Sequence, residues 1–209
     1  MNIIASNRPF SGCVASNPKE LQAYLINNKV NRIYFPFWSW KVPDELLNKY
    51  ECIGFHSAPL PFGKGGTPIQ NMIRLGYDTT VVCMFHMEKG FDDGEILCSR
   101  EVSLDGTLAE IVNKISKDIE DMINGYENNC IVSYSSSTYY GGVPLKFQRI
   151  MDNHLMEVDT TEKIYDEIRM RDEVGHPKTF LWHGKHRIDF SDARMEGNKV
   201  IARVEIYEH

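Results

Sequence analysis

Short runs of apolar residues alternate along this chain with stretches whose apolar positions recur every three to four residues. The runs suit buried strands and the spaced positions suit amphipathic helices, so the alternation predicts an α/β fold, a mostly parallel sheet with helices packed on it. Strands are expected at Ile3 to Ser6, Arg32 to Pro36, Cys52 to Phe55, Thr80 to Met87 and Glu95 to Ser103. In Asn17-Pro18-Lys19-Glu20 the asparagine caps a helix, the proline fits its first turn and Glu20 can reach back, with Leu21, Tyr24 and Leu25 as the apolar face. Pro43 opens a short helix, Thr67-Pro68 caps another running to about Leu75, and Thr107 with Glu110 forms a capping box. Behind that box Leu108, Ile111, Val112, Ile115, Ile119, Met122 and Ile123 make a helical stripe that faces a core. The pattern breaks at Asn128-Asn129 and in the polar run Ser133 to Gly142. Residues 1–130 therefore read as a catalytic core and 131–209 as a small β-rich extension. The extension has one helix, about Thr161 to Asp172, and β-like runs at Thr179 to His183, Lys185 to Phe190 and Lys199 to Tyr207.

Composition narrows the class. Over 209 residues, 42% are apolar and 25% charged, as in soluble proteins that bury a real core. A net charge of −6 argues against a phosphate backbone as main partner, so no nucleic acid is expected. A local basic patch can still hold one small phosphorylated ligand. The apolar stretch near Ile3 is too short for a signal peptide, and no run approaches the ~20 residues of a membrane span, so no membrane partner is expected. The cysteines (Cys13, Cys52, Cys83, Cys98, Cys130) are scattered without a C-x-x-C, and the histidines show no ligand spacing, so no metal is expected. Cys52 and Cys83 read as small core hydrophobes, and the chain as reduced and cytoplasmic.

Neither G-x-G-x-x-G nor G-x-x-x-x-G-K-[ST] is present, which removes the usual dinucleotide and nucleoside-triphosphate fingerprints. Lys64-Gly65-Gly66 precedes a helix start, where backbone N–H groups favour an anion. Two polar clusters directly follow strands: His56-Ser57-Ala58-Pro59-Leu60-Pro61 and Glu88-Lys89-Gly90-Phe91-Asp92-Asp93-Gly94-Glu95. Parallel strands would put both at one sheet edge, where α/β ligands bind. A His and an Asp converging there make a general acid/base pair; the same residues also fit a structural histidine and a plain turn.

Phe55-His56-Ser57-Ala58-Pro59-Leu60-Pro61, followed by Lys64-Gly65-Gly66-Thr67-Pro68-Ile69-Gln70, resembles the formyltransferase pattern of His, small residue, Ser, Leu-Leu-Pro, basic residue-Gly and Pro-Ile-Gln. Met87-Glu88-Lys89-Gly90-Phe91-Asp92-Asp93-Gly94-Glu95-Ile96-Leu97 is similar to the family's Met-Asp-x-Gly-Leu-Asp-x-Gly-Asp-Ile-Leu, at the right separation. The resemblance covers Tyr34 to Leu97, with a weaker echo at Ile164 to Arg169. It implies a Rossmann-like formyltransferase fold with a shortened N-terminus, and 10-formyltetrahydrofolate as co-substrate. It gives His56 and Asp92 the catalytic positions. Trp38, Ser39 and Trp40 fall in the folate-side loop, joined by Met87, Glu88, Gly90 and Phe91. Trp38 and Trp40 suit either a core or the wall of a flat pterin. Lys64, Gly65, Gly66, Gln70 and Asn71 would meet the acceptor substrate.

One residue departs from the family pattern. The family usually has Asn two residues before the histidine, as a donor to the developing oxyanion, where this chain has Gly54. Gln70, Asn71, a backbone N–H or a water is expected to fill the gap.

Among acceptors, the initiator tRNA version of the family carries a large C-terminal domain and needs a basic face, and the purine-pathway version keeps the Asn. The short sugar-modifying members are similar in length and in Gly-Gly-Thr-Pro-Ile-Gln-Asn. The resemblance therefore implies a nucleotide-linked amino sugar, of the pseudaminic acid type, as the acceptor. The alternatives are methionyl-tRNA or another small amine, or an impaired binder of folate and sugar nucleotide. Val200, Ile201, Val204 and Ile206 give the tail an apolar edge suited to a homodimer.

Overall fold

The computed structural model describes residues 1–130, 145–155 and 157–208, so the polar run Ser133 to Gly142 and the expected start of the extension at 131 lie outside the described residues. In chain order the elements are β1 (Asn2–Ala5), β2 (Cys13–Ala15), α1 (Pro18–Asn27), β3 (Arg32–Phe35), α2 (Asp44–Lys49), β4 (Glu51–His56), β5 (Lys64–Gly65) and α3 (Pro68–Arg74). They continue as β6 (Thr79–His86), β7 (Ile96–Ser103), α4 (Leu108–Glu127), β8 (Lys146–Phe147), α5 (Thr161–Arg169), β9 (Thr179–His183), β10 (His186–Glu196) and β11 (Lys199–Glu208). Among the described residues no helix is long and apolar enough to cross a membrane.

The chain folds into two compact units. The first comprises Met1–Gly65, Val81–Glu101 and Ile115–Lys146, and the second Gly66–Thr80, Val102–Lys114 and Phe147–His209. The first is built on a six-stranded sheet ordered β2-β1-β3-β4-β6-β7. Strands β2, β1, β3 and β4 run parallel, which bears out the mostly parallel sheet, but β6 lies antiparallel to β4, with Ile53 opposite His86 and His56 opposite Cys83. The ends of β4 and β6 therefore do not share one edge, and parallel order is not what brings the two polar clusters together.

The expected local signals mostly operate. Asn17 Oδ1 accepts the Glu20 N–H at 3.0 Å, and Glu20 Oε2 reaches back to the Ser16 N–H at 2.7 Å, one residue earlier than a standard box. Thr107 and Glu110 close a reciprocal box, with bonds of 2.8 Å and 3.3 Å. Thr67 behaves differently. Its φ of 47° is left-handed, it makes no side-chain cap, and its hydroxyl instead accepts the Ile150 N–H at 3.0 Å. Ile3, Ala5, Leu21, Ile33, Phe35 and Cys52 form one core cluster, and Leu60, Val81, Cys83 and Phe85 a second. Burial pushes the Cys52 thiol up to about 12, so it packs as an inert hydrophobe. Burial alone would raise Glu127, but hydrogen bonds from Tyr34, Arg32 and Asn2 outweigh it and hold the carboxyl below its usual range.

In the second unit, α5 stops at Arg169 rather than Asp172, because Arg171 and Asp172 turn back to the Ile168 and Arg169 carbonyls. Strands β9, β10 and β11 form an antiparallel sheet. A buried ion cluster holds α3 to α5: Arg74 grips Glu167 at 2.6 Å and 2.9 Å, and Arg171 Nη1 bonds the same carboxylate at 2.8 Å. Burial would raise the Glu167 carboxyl, but the two guanidinium groups outweigh it and lower it.

A depressed carboxyl stabilises the fold above its unfolded value, near 4.5, and that stabilisation is lost as pH falls through the folded value. Glu167→Gln leaves the 3% exposed Arg171 without its counter-charge and is expected to cost about 3 kcal/mol or more at pH 7. Urea midpoints at pH 7 and pH 3.5 check this: the gap between variant and wild type should narrow at the lower pH.

Candidate active site

The site grows from the end of β4. His56 is its last residue and is 6% exposed, held under the loop that follows. Its Nε2 lies 2.7 Å from the Gly63 carbonyl oxygen. A carbonyl only accepts, so Nε2 carries a proton and donates it there, which leaves Nδ1 as the nitrogen turned to the carboxylate. Nδ1 faces Asp92 Oδ1 at 3.4 Å, while Asp92 Oδ2 accepts the Gly65 N–H at 2.8 Å. Gly63 thus sets the tautomer, and Gly65 aims the carboxylate. A proton arriving at Nδ1 would turn the long contact into an imidazolium–carboxylate pair, which is what a general base needs.

Asp92 reaches this place by a loop that folds back. Met87 N–H bonds the Cys52 carbonyl at 2.9 Å, and Glu88 N–H the Asp93 carbonyl at 3.0 Å, closing a tight turn. Asp92 itself is left-handed at φ 49°, and Gly94 lies at φ 137°, where an added Cβ would sit 1.6 Å from the His86 carbonyl oxygen. Lys64 pairs with Asp93 across the two loops.

The structure thus brings His56, Asp92, Lys64 and Gly65 together. Trp38 and Trp40 do not lie on a strand; they follow a turn and meet edge to face, with ring centres 4.9 Å apart. Trp38 packs on the core cluster that also receives Met87, while Trp40 is 41% exposed and Phe91 64% exposed. Ser39 Oγ bonds Asn7 at 3.3 Å. Gly90 gives Asp93 room, since an added Cβ would lie 1.9 Å from its carboxylate.

Gln70 and Asn71 belong to the second unit and are engaged there. Gln70 Nε2 donates to the Met170 carbonyl at 3.2 Å, and Asn71 Nδ2 to the carbonyls of Gly66, Thr67 and Gln148 at 3.0–3.1 Å. Gly66 lets the chain at Arg149 approach, with an added Cβ 2.7 Å from Arg149 Cβ.

The space at Gly54 is also not open. Its cross-strand partner is Phe85, and an added Cβ would stand 2.7 Å from Phe85 Cζ and 3.1 Å from Met87 Cγ. Carbon atoms, not a donor, occupy the side of Gly54 from which the family's Asn would project. The contacts of Gly63, Asp93 and Phe85 were not foreseen from the sequence. The only signal for Gly63 was the glycine density of Phe62-Gly63-Lys64-Gly65-Gly66, and nothing local marks Phe85.

Residues 151–207 match the family model described as methionyl-tRNA formyltransferase, C-terminal domain. A solved structure, methionyl-tRNA formyltransferase from Clostridium thermocellum, is 34% identical with a TM-score of 0.85, covering 100% of both chains. Methionyl-tRNA formyltransferase of Ehrlichia ruminantium is 27% identical over 157 residues, 70% of this chain and 48% of that protein. The chain spans about half the length, or less, of the curated relatives it matches. A 4-N formyltransferase from Francisella tularensis, at 16% identity, TM-score 0.59, and 81% and 72% coverage, shares the fold alone.

These findings overturn two expectations: a nucleotide-linked amino sugar as acceptor, and the exclusion of nucleic acid as partner. The tRNA version was set aside for its large C-terminal domain, yet α5 with β9 to β11 is the part that matches that domain. A compact three-stranded sheet with one helix needs little chain length.

Gly54→Ala is expected to force the 2% exposed Phe85 off its position and to destabilise the protein by about 1–3 kcal/mol. Gly54→Asn should cost at least as much rather than restore a donor. Denaturant midpoints of both variants check this.

Proposed function

Because the chain belongs to the methionyl-tRNA formyltransferase family, we propose that it transfers a formyl group from 10-formyltetrahydrofolate to the amine of methionyl-tRNA. The observation that carries this reading is the pairing of His56 with Asp92, at the positions the family motifs give to catalysis, in a chain alike over its whole length to a solved member. In the reaction the amine nitrogen bonds the formyl carbon, the bond from that carbon to the folate nitrogen breaks, and one proton passes from the amine to the leaving nitrogen. His56 accepts that proton at Nδ1, on the side facing Asp92, and the carboxylate stabilises the imidazolium until the proton moves on. Trp38, Trp40, Met87 and Phe91 offer exposed or half-buried apolar surface on the same unit for the flat pterin ring. Gly54 contributes no side-chain donor to the formyl oxygen, so that charge falls to backbone N–H groups or water.

The test is turnover of methionyl-tRNA with 10-formyltetrahydrofolate, followed as formylmethionine released from the tRNA. Formylation of methionyl-tRNA is expected, and His56→Asn and Asp92→Asn are each expected to lower turnover by ~10²-fold or more. Normal turnover in a folded His56→Asn protein would refute the assignment. Folate should also quench tryptophan fluorescence, and Trp38→Ala with Trp40→Ala should weaken its binding. Unchanged folate affinity in that double variant would return both rings to a packing role.

A further inference from the structure

Resting on the formyl-transfer reading, we infer that the Lys64–Asp93 ion pair is a strap that sets the geometry of the His56–Asp92 pair, making Lys64 and Asp93 positioning residues for the reaction. Two loops meet at the site. The one after β4 supplies the Gly63 carbonyl to His56 and the Gly65 N–H to Asp92; the one after β6 supplies Asp92. Lys64 stands between those two glycines and Asp93 directly follows Asp92, so each end of the strap is one residue from a catalytic contact. Gly63 and Gly65 lie at φ 79° and 111°, and glycine backbone holds such angles only as firmly as its surroundings require. Gly63 N–H is anchored on the Leu145 carbonyl at 2.8 Å, and it is the strap, together with the Gly65 N–H to Asp92 bond, that ties this segment to the loop carrying the carboxylate.

Two further observations point the same way. Gly90 has no Cβ where one would collide with the Asp93 carboxylate at 1.9 Å, so the loop is shaped around that side chain. The pair is also substantially exposed, at 27% for Lys64 and 49% for Asp93, and exposed pairs add little to overall stability. Its contribution is therefore local. A Lys64 held for a substrate anion would need to leave Asp93 first.

The full chain is compared with Lys64→Met, Asp93→Asn, the double variant and the charge swap Lys64→Asp/Asp93→Lys. Each single change is expected to lower kcat by about 10-fold, with KM for both substrates nearly unchanged, since misplacement of a catalytic group acts on the chemical step. The double variant should be no slower than either single one, because both break one interaction, and the swap should recover part of the loss. Thermal midpoints should stay within a few degrees. A higher KM for either substrate in Lys64→Met, with Asp93→Asn unaffected, would make Lys64 a substrate contact and overturn the strap; so would additive losses in the double variant. If the unmodified protein formylates no amine, the formyl-transfer reading fails, and the ring N–H resonance of His56 decides the strap. The bond to Gly63 should make that proton downfield and slowly exchanging in the wild type and exchange-broadened in both single variants. An unchanged resonance in both would overturn the strap.

Discussion

The reversal of β6 beside β4 is the constraint on which the site depends. Had the two strands run parallel, their following loops would have met at one edge without special geometry. Running antiparallel, β6 ends at His86, opposite Ile53 and three residues short of His56, so the chain must double back along β4 to deliver Asp92. That return is what the loop's unusual backbone achieves. Gly94 passes where no Cβ fits against the His86 carbonyl, Asp92 takes a left-handed conformation, and Gly90 clears space for Asp93. A left-handed Asp is tolerable because its carboxylate gains a backbone N–H and faces an imidazole.

The same pairing accounts for Gly54. It lies opposite Phe85, and the ring crosses the strand to cover the bare backbone while staying buried with Leu60, Val81 and Cys83. A side chain at position 54 and this placement of Phe85 exclude each other. Glycine in place of the Asn of the resembled motif is thus coupled to how β4 and β6 pack rather than being an isolated change near His56.

Much of the fold was legible because its signals are local. Capping residues at Asn17 and Thr107, the helical stripe from Leu108 to Ile123 and the apolar run from Thr80 each depend on neighbours in sequence, and each formed the element expected. Strand direction was not legible, since an apolar run reads the same in a parallel or antiparallel ladder. The candidate histidine and aspartate could be picked out from motif spacing, but their contacts could not. Gly63 meets His56 through its carbonyl, Asp93 pairs across loops and Phe85 packs its ring across the strand pair, and Thr67 carried a capping signature while its hydroxyl served the chain near Ile150. Side chains with several hydrogen-bonding choices are decided by tertiary neighbours, which no window of sequence contains.

Net charge misled for a related reason. It counts charges without regard to what each faces. On the β9–β11 sheet, Arg187 pairs with Asp189, Arg194 with Glu196 and Arg203 with Glu205, each two residues along one strand and so on one face. The last two pairs are well exposed, and such pairs are weakly held because water screens them and two long side chains must be ordered. A guanidinium in such a pair can exchange its carboxylate for a phosphate at small cost, so an acidic sum does not fix how a face meets a polyanion. What governs that encounter is the spacing of exchangeable cations on a surface. The strand repeat sets the spacing of these three pairs, which a count of Lys, Arg, Asp and Glu does not show.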